Sequence, residues 1–416
     1  MDSDYLSDWL AYINSNRPNE DEFGLARLQG IFSKIVTKPL ASKTIMIGGT
    51  NGKGTTAEYL KNFLINAGYK VGLYTSPHLI DFNERIQING KNIEDKRVVE
   101  AFKVIEALKY KTRLTYFDYV TLAAFEIFSK ESLDFVILEI GVGGKYDPVN
   151  LIDSDISIVT NISKDHEKWL GSSLEEIGRQ KSAIFKKDKV GILGAEEMPN
   201  SITSKAQETC SQVYHLGKDF LVESKESQWS YSFGQKEFFL DALKLGNLNK
   251  ESASCALTAF KILSDREIDF NQSLANTFLK GRCDVVGNFV LDVSHNPASV
   301  QNLTTFLRTN YKDTKFNAIF SSMSDKDTVS IIKNISSFIA NWNICFIDDE
   351  RFNLLEQKEL IESLTKKHVK QFDSVYSAVK RGYHEQYPYV VFGSFITVSE
   401  AYKAIKKIKD KSSVKD

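Results

Sequence analysis

The sequence predicts an α/β protein: a mostly parallel sheet with helices on both faces, followed by a smaller, Rossmann-like α/β domain. Three observations lead there. Short apolar runs at 45–47, 71–74, 135–140, 156–159 and 190–193 read as strands bounded by Gly, Thr or charged residues. Helical periodicity fills most of the intervals between them, notably 118–130. Alternation of that kind builds a parallel sheet by crossover connections. The pattern then restarts beyond Gly281 and Gly287. The expected division is 1–280, a hinge at 281–287, and 288–416.

In chain order, Tyr5, Trp9 and Ile13 recur at four-residue spacing and open a helical region. Ile45, Met46 and Ile47 form a buried strand, and Ala57, Leu60, Phe63, Leu64 and Ala67 line one helix face that Gly68 stops. The stretch 201–245 is less regular, and segments around Val213, Leu221, Tyr231 and Phe238 suggest antiparallel β at the edge of the first domain. A helix covers 251–263. The second domain reads strand 289–293, helix from Pro297, strand 318–320, helix near Val329, strand 344–347, helix near Leu355, strand 389–392 and a last helix near Val398.

Between the first strand and the first apolar helix face lies Gly48-Gly-Thr-Asn-Gly-Lys-Gly-Thr55. Its glycines let backbone N–H groups turn toward one point, the helix start adds partial positive charge, and Lys53 adds a full one. That is a cradle for polyphosphate, a P-loop in physics although the usual spacing differs: three residues, not four, separate Gly48 from Gly52, and Gly54 separates Lys53 from Thr55. A plain Gly-rich turn with a solvated lysine is the competing reading. The order strand, glycines, lysine, hydroxyls favours the cradle. Gly49, Thr50, Asn51, Gly52, Lys53, Gly54 and Thr55 are therefore the expected phosphate contacts.

Composition narrows the rest. With 53 basic and 54 acidic residues, the net charge of -1 offers no general attraction to nucleic acid or anionic membrane. The four cysteines show no paired spacing, as in a reducing compartment. The acidic start Met1-Asp-Ser-Asp4 is unlike a signal peptide, and no apolar run approaches about 18 residues. The expectation is a cytoplasmic protein.

A nucleotide phosphate tail calls for Mg²⁺, which takes hard oxygen ligands. Glu139 is a carboxylate at a strand end, followed by Gly141-Val-Gly-Gly144. Ser76 offers a hydroxyl after the preceding strand, and His166 follows the strand 156–159 beside Asp165. For each the alternative is an ordinary loop or packing residue.

Together these motifs identify a family. Gly49-Thr-Asn-Gly-Lys-Gly-Thr55, Thr75-Ser-Pro-His-Leu79, Glu84-Arg85-Ile86, Glu139-Ile-Gly-Val-Gly-Gly144, Asp165-His166, Trp169-Leu-Gly171 and Lys181-Ser-Ala-Ile184 occur in order. Gly281-Arg282, Asp292-Val-Ser-His-Asn-Pro297, Asp325-Lys-Asp327 and Gly393-Ser394 follow. The chain resembles folylpolyglutamate synthases, and more closely the bacterial bifunctional dihydrofolate synthase/folylpolyglutamate synthases, which are Mur-ligase-type ATP-dependent amide ligases. The resemblance implies ATP, L-glutamate, dihydropteroate and reduced folates as substrates, two Mg²⁺ ions, and a monomer. It implies that Lys53 holds phosphate, that Ser76, Glu139 and His166 bind Mg²⁺, and that Lys181 is carbamylated and helps hold a second metal. Arg282 and Asp292 match residues that contact the nucleotide, and His295 shapes its turn or acts directly.

The resemblance also implies a pterin site. Phe23, Gly24 and Leu25 match its N-terminal piece, and Thr115, Tyr116, Phe117 and Asp118 its loop before a helix. Phe117 would stack on the ring, with Asp118 or Asp147 on its amino and amide edge. Tyr146, Asp147 and Pro148 line the wall, where Gly143-Gly-Lys-Tyr-Asp-Pro-Val-Asn150 departs from the family's usual Gly-Gly-Arg-Leu-Asp-Ala-Thr-Asn. Lys145 lacks the planar fork of Arg. Ser252 stands where an asparagine is expected near the nucleotide. A single-activity folylpolyglutamate synthase is the nearest alternative. A hydroxyl kinase and a nucleotide-binding regulatory protein are the alternatives from other classes.

Overall fold

The computed structural model describes residues 1, 3–15, 24–225, 228–234, 238–243 and 248–412. It divides into two units: Met1–His78 with Phe82–Thr277, and Leu79–Asp81 with Phe278–Asp416.

In the first unit, α1 (Leu6–Ser15) buries Leu6, Trp9 and Ile13, and α2 (Gln29–Ile35) buries Ile31 and Ile35. Strand β1 (Ala41–Gly48) leads into α3 (Lys53–Asn66), which begins directly after Gly52, at φ 84°. The strand β2 (Val71–Tyr74) follows. A hairpin of β3 (Ile86–Ile88) and β4 (Lys91–Asn92), then α4 (Asp95–Leu108), fill an interval to which no element was assigned. The helix α5 (Tyr116–Ser129) starts from a reciprocal cap in which Thr115 and Asp118 satisfy each other's backbone N–H groups. Then come β5 (Leu133–Glu139), β6 (Ile156–Val159), the one-turn α6 (Glu167–Leu170), α7 (Leu174–Lys181) and β7 (Val190–Leu193).

The irregular stretch after residue 200 corrects one expectation. It opens with α8 (Asn200–Thr209), and the Val213 segment is β8 (Gln212–His215), which runs parallel to β7. Only β9 (Phe220–Lys225), β10 (Gln228–Phe233) and β11 (Phe238–Leu243) are antiparallel, in a separate three-stranded sheet. A parallel return needs a crossover, and α8 supplies it. Helices α9 (Lys250–Leu263) and α10 (Phe270–Asn276) close the unit; Phe260 and Phe270 meet Phe63 of α3 edge-on.

The main sheet runs β4-β3-β2-β5-β1-β6-β7-β8, parallel from β2 to β8. In register, Ile47 pairs with Glu139 and Gly48 with Val159. The carboxyl ends of three central strands thus lie side by side, where ligands of such sheets bind.

The second unit has β12 (Asp284–Val286), β13 (Phe289–Leu291), α11 (Pro297–Asn310), β14 (Phe316–Phe320), α12 (Thr328–Ile335), β15 (Ile339–Cys345), α13 (Leu354–Thr365), β16 (Val369–Phe372), α14 (Val375–Tyr383), β17 (Tyr389–Phe392) and α15 (Phe395–Ser412). Its sheet order is β12-β13-β17-β14-β15-β16. Only β12 is antiparallel, so residues 284–286 of the expected hinge are in fact a strand paired to β13. Among the described residues, no helix is long and apolar enough to cross a membrane.

Candidate active site

The loop after β1 is held by backbone conformation and by the segment after β6. Gly49 sits at φ 126°, and a methyl placed on it would lie 2.0 Å from Thr160 Oγ1. Thr50 N–H donates to Asn161 O at 2.9 Å, Thr160 Oγ1 donates to Asn51 O at 2.7 Å, and Asn51 N–H donates to Asn161 Oδ1 at 3.1 Å. Two ammonium groups converge on one loop carbonyl: Lys181 Nζ lies 2.8 Å and Lys53 Nζ 3.3 Å from Gly49 O. Lys53 also donates to Thr50 O at 3.1 Å. Thr55 is buried in the first turn of α3.

The charges here are tightly coupled. Burial pushes the Lys181 ammonium down to about 7, aided by Lys53 and opposed by Asp165 and Asp147. Burial pushes the Asp147 carboxyl up to about 7, against the pull of backbone N–H groups at Val142, Val149 and Gly141 and of Lys53. An amine that is partly neutral near pH 7 is a nucleophile toward CO₂, which a carbamate requires; a fully charged ammonium is not.

Glu139 is 4% exposed and accepts a hydrogen bond from Ser76 N–H at 2.9 Å. A methyl placed on Gly54 would lie 3.6 Å from its Oε2, so this carboxylate faces the loop. His166 has left-handed backbone, its N–H donates to Asp165 Oδ1 at 2.9 Å, and its Nε2 lies 3.9 Å from the same oxygen. Among the described residues, no three His, Cys, Asp or Glu side chains are grouped to hold a metal on their own. The donor set is one buried carboxylate beside a serine and a phosphate cradle. That suits a hard cation that keeps waters and takes phosphate oxygens.

Several expected pterin residues meet at Gly141, where an added methyl would lie 2.5 Å from Phe117 Cζ and 3.2 Å from Asp147 Oδ2. Tyr74 packs against Phe117, with ring centroids 6.3 Å apart. Asp147 starts a 3-10 turn whose first residue is the buried Pro148. Tyr146 is mostly exposed, and Lys145 stacks on it at 5.0 Å. Thr115 and Asp118 cap α5, and Asp118 also pairs with Arg27 at 2.6 Å, so its carboxylate is already engaged. Tyr116 is the first residue of α5. Gly24, at φ 135°, and the half-buried Leu25 open a short 3-10 turn, while Phe23 lies outside the described residues.

Arg282 and Asp292 belong to the second unit. The Arg282 guanidinium lies 5.6 Å from the Phe395 ring centroid, and buried Asp292 accepts from the N–H groups of Cys283 and Ser294 at 2.8 and 2.9 Å. His295 bonds Val293 O through Nδ1 at 2.8 Å, within its own turn.

The Mur ligase middle domain matches residues 47–275. The dihydrofolate synthase/folylpolyglutamate synthase of Escherichia coli K12 is 33% identical over 409 residues, 96% of this chain and 95% of that one. The chain belongs to the dihydrofolate synthase/folylpolyglutamate synthase family. It is thus an enzyme of the Mur ligase class. The family member from Buchnera aphidicola of Schizaphis graminum is also 33% identical, with 95% and 96% covered. Two solved family structures resemble it throughout. E. coli FolC in complex with DHPP and ADP has TM-score 0.91 at 31% identity, covering 97% and 98% of the two chains. The Yersinia pestis bifunctional enzyme complexed with AMPPNP and Mn ion has TM-score 0.89 at 32% identity, with the same coverage.

Sequence reasoning left two contributions unassigned, that of Asn161 with Ser163 and that of Arg85. Asn161 and Ser163 brace the loop from about 110 positions away, Ser163 through Thr50. Ser252 touches it too, donating to Gly52 O at 3.3 Å, while Asn249 three residues earlier caps α9. Arg85 sits in the quoted Glu84-Arg85-Ile86 motif without a role. A polar residue directly after a central strand was the available signal for Asn161.

Proposed function

We infer that this protein joins L-glutamate to dihydropteroate, and to reduced folates, at the expense of ATP. The observation that carries the reading is the loop between Gly48 and Thr55, with Lys53 and Lys181 on Gly49 O and Glu139 facing Gly54. Family structures bound to DHPP, ADP, AMPPNP, Mn and L-glutamate support it.

The substrate carboxylate attacks the γ-phosphorus of ATP; an acyl phosphate forms and ADP leaves. The α-amine of glutamate then attacks the acyl carbon, the amide forms, and inorganic phosphate leaves with the bonding pair. Lys53 and the loop N–H groups hold the transferring phosphoryl group, and catalysis is mostly positioning and charge stabilisation. Ser76, Glu139 and His166 would hold Mg²⁺, which neutralises phosphate charge when bound. Lys181, as its carbamate, would add an anionic ligand for a second ion. Phe117 stacks on the pterin and Asp147 takes its amino and amide edge. Arg282 and Asp292 are assigned to the nucleotide on the resemblance alone. We place the reaction in the cytoplasm, in a monomer with domains 1–280 and 288–416.

The test uses purified protein with ATP, Mg²⁺ and glutamate. Glutamate-dependent ADP release is expected with dihydropteroate and with tetrahydrofolate. Release with tetrahydrofolate alone would reduce the protein to a single-activity folylpolyglutamate synthase. A stable phosphoester formed without glutamate would make it a kinase.

A further inference from the structure

Arg85 is 7% exposed, yet among the described residues it forms hydrogen bonds only through Nε and its backbone: Nε donates to His78 Nδ1 at 2.8 Å. That bond fixes the plane of the guanidinium and leaves Nη1 and Nη2, the fork that matches paired acceptors, without a hydrogen-bond partner among the described residues. The group lies over two aromatic faces, 5.9 Å from the Phe82 centroid and 5.7 Å from that of Tyr116. The buried Tyr74 hydroxyl feels Arg85 and Asp147 with opposite signs, so both groups lie near the hydroxyl of the ring against which Phe117 packs. A cluster of aromatic rings with a cation and a carboxyl near it suits a flat heterocycle that has an acceptor edge and a donor edge.

Sheet order tells which end of the substrate Arg85 meets. Its carbonyl accepts from the N–H of Thr75, the residue directly after β2, at 2.9 Å, and β5 lies between β2 and β1. Three strand spacings, roughly 14 Å, thus separate its backbone from the phosphate loop. A substrate whose carboxylate reaches that loop turns its opposite end toward Arg85.

We propose that Arg85 is a specificity residue for the heterocycle of the acyl substrate, its free fork binding the adjacent carbonyl oxygen and ring nitrogen of a dihydropterin. This rests on the dihydropteroate reading above and deepens it. His78 acts through Arg85 as a positioning residue, accepting on Nδ1.

Arg85→Met and Arg85→Lys test it against dihydropteroate and its analogue with an amino group in place of the 4-carbonyl oxygen. Wild type should favour the carbonyl compound in kcat/KM by about tenfold or more, because an amino group leaves the fork facing a donor. Both variants should raise KM for dihydropteroate about tenfold, keep KM for ATP, and bring the two compounds within about threefold. Arg85→Lys keeps the charge and should hold its Tm near wild type. Equal losses for both compounds with a fallen Tm would make Arg85 structural and overturn the proposal. A fall in kcat at constant KM would place Arg85 at the reacting carboxylate and overturn it too. If wild type turns over dihydropteroate and the variants match it, only the Arg85 assignment falls. If wild type does not use dihydropteroate at all, the functional reading falls and takes the proposal with it.

Discussion

Gly49→Ala probes the loop without touching a charge. At φ 126° an L-residue is strained by about 1–3 kcal/mol. The new methyl would also lie 2.0 Å from Thr160 Oγ1 and 2.9 Å from Thr160 N. Either the loop or the segment after β6 must move. Movement breaks the bonds from Thr160 Oγ1 to Asn51 O and from Thr50 N–H to Asn161 O, each worth about 1 kcal/mol. The sum is about 4 kcal/mol, which for a unit of this size corresponds to about 10 °C in Tm. Gly287→Ala is the internal control. It also has positive φ, at 63°, but open space around the added methyl, so strain alone remains, about 1 kcal/mol. Scanning calorimetry of both variants, with nucleotide titration of the first, gives the comparison. A Gly49→Ala protein melting within about 2 °C of wild type and binding ATP normally would refute the claim that Thr160 and Asn161 shape the loop.

Lys53→Ala should lower kcat about a hundredfold, as loss of one preorganised donor to transition-state charge costs about 3 kcal/mol; steady-state ADP release checks it. Phe117→Ala should raise KM for dihydropteroate while leaving ATP affinity unchanged, and equal loss of both would make it a core residue. For Lys181, held near 7 when folded against its ordinary 10.5, the unfolded chain binds more protons between those values. Its contribution to stability therefore rises with pH across that window. In protein depleted of CO₂, where Lys181 is the free amine, Lys181→Met should remove that rise from Tm measured between pH 7 and 10. Depleting CO₂ should also lower wild-type activity, with bicarbonate restoring it.

How much of this was legible depends on how local each signal was. The strands 71–74, 156–159, 190–193 and 389–392 coincide with β2, β6, β7 and β17 because each is a short apolar run with a turn signal at its end. The hairpin β3–β4 escaped notice because its strands are only three and two residues long and partly exposed. Helix α8 was missed in a polar stretch where only Ile202 and Ala206 turn inward. In the site, Lys53 and the glycines announce themselves by their order. The bracing of that loop by Asn161, and the burial of Arg85 among aromatic rings, exist only once distant strands are side by side. No spacing along the chain encodes them. Asp118 shows a second role the sequence does not announce: a residue assigned to the pterin by resemblance also accepts from Thr115 N–H and pairs with Arg27 through Oδ2.

The most direct measurement is a crystal structure with a non-hydrolysable ATP analogue and Mn²⁺. We expect the terminal phosphate within hydrogen-bonding reach of Lys53 Nζ and the ion on Glu139. A terminal phosphate bound away from the turn between Ile47 and Thr55, with Glu139 carrying no metal, would contradict the account.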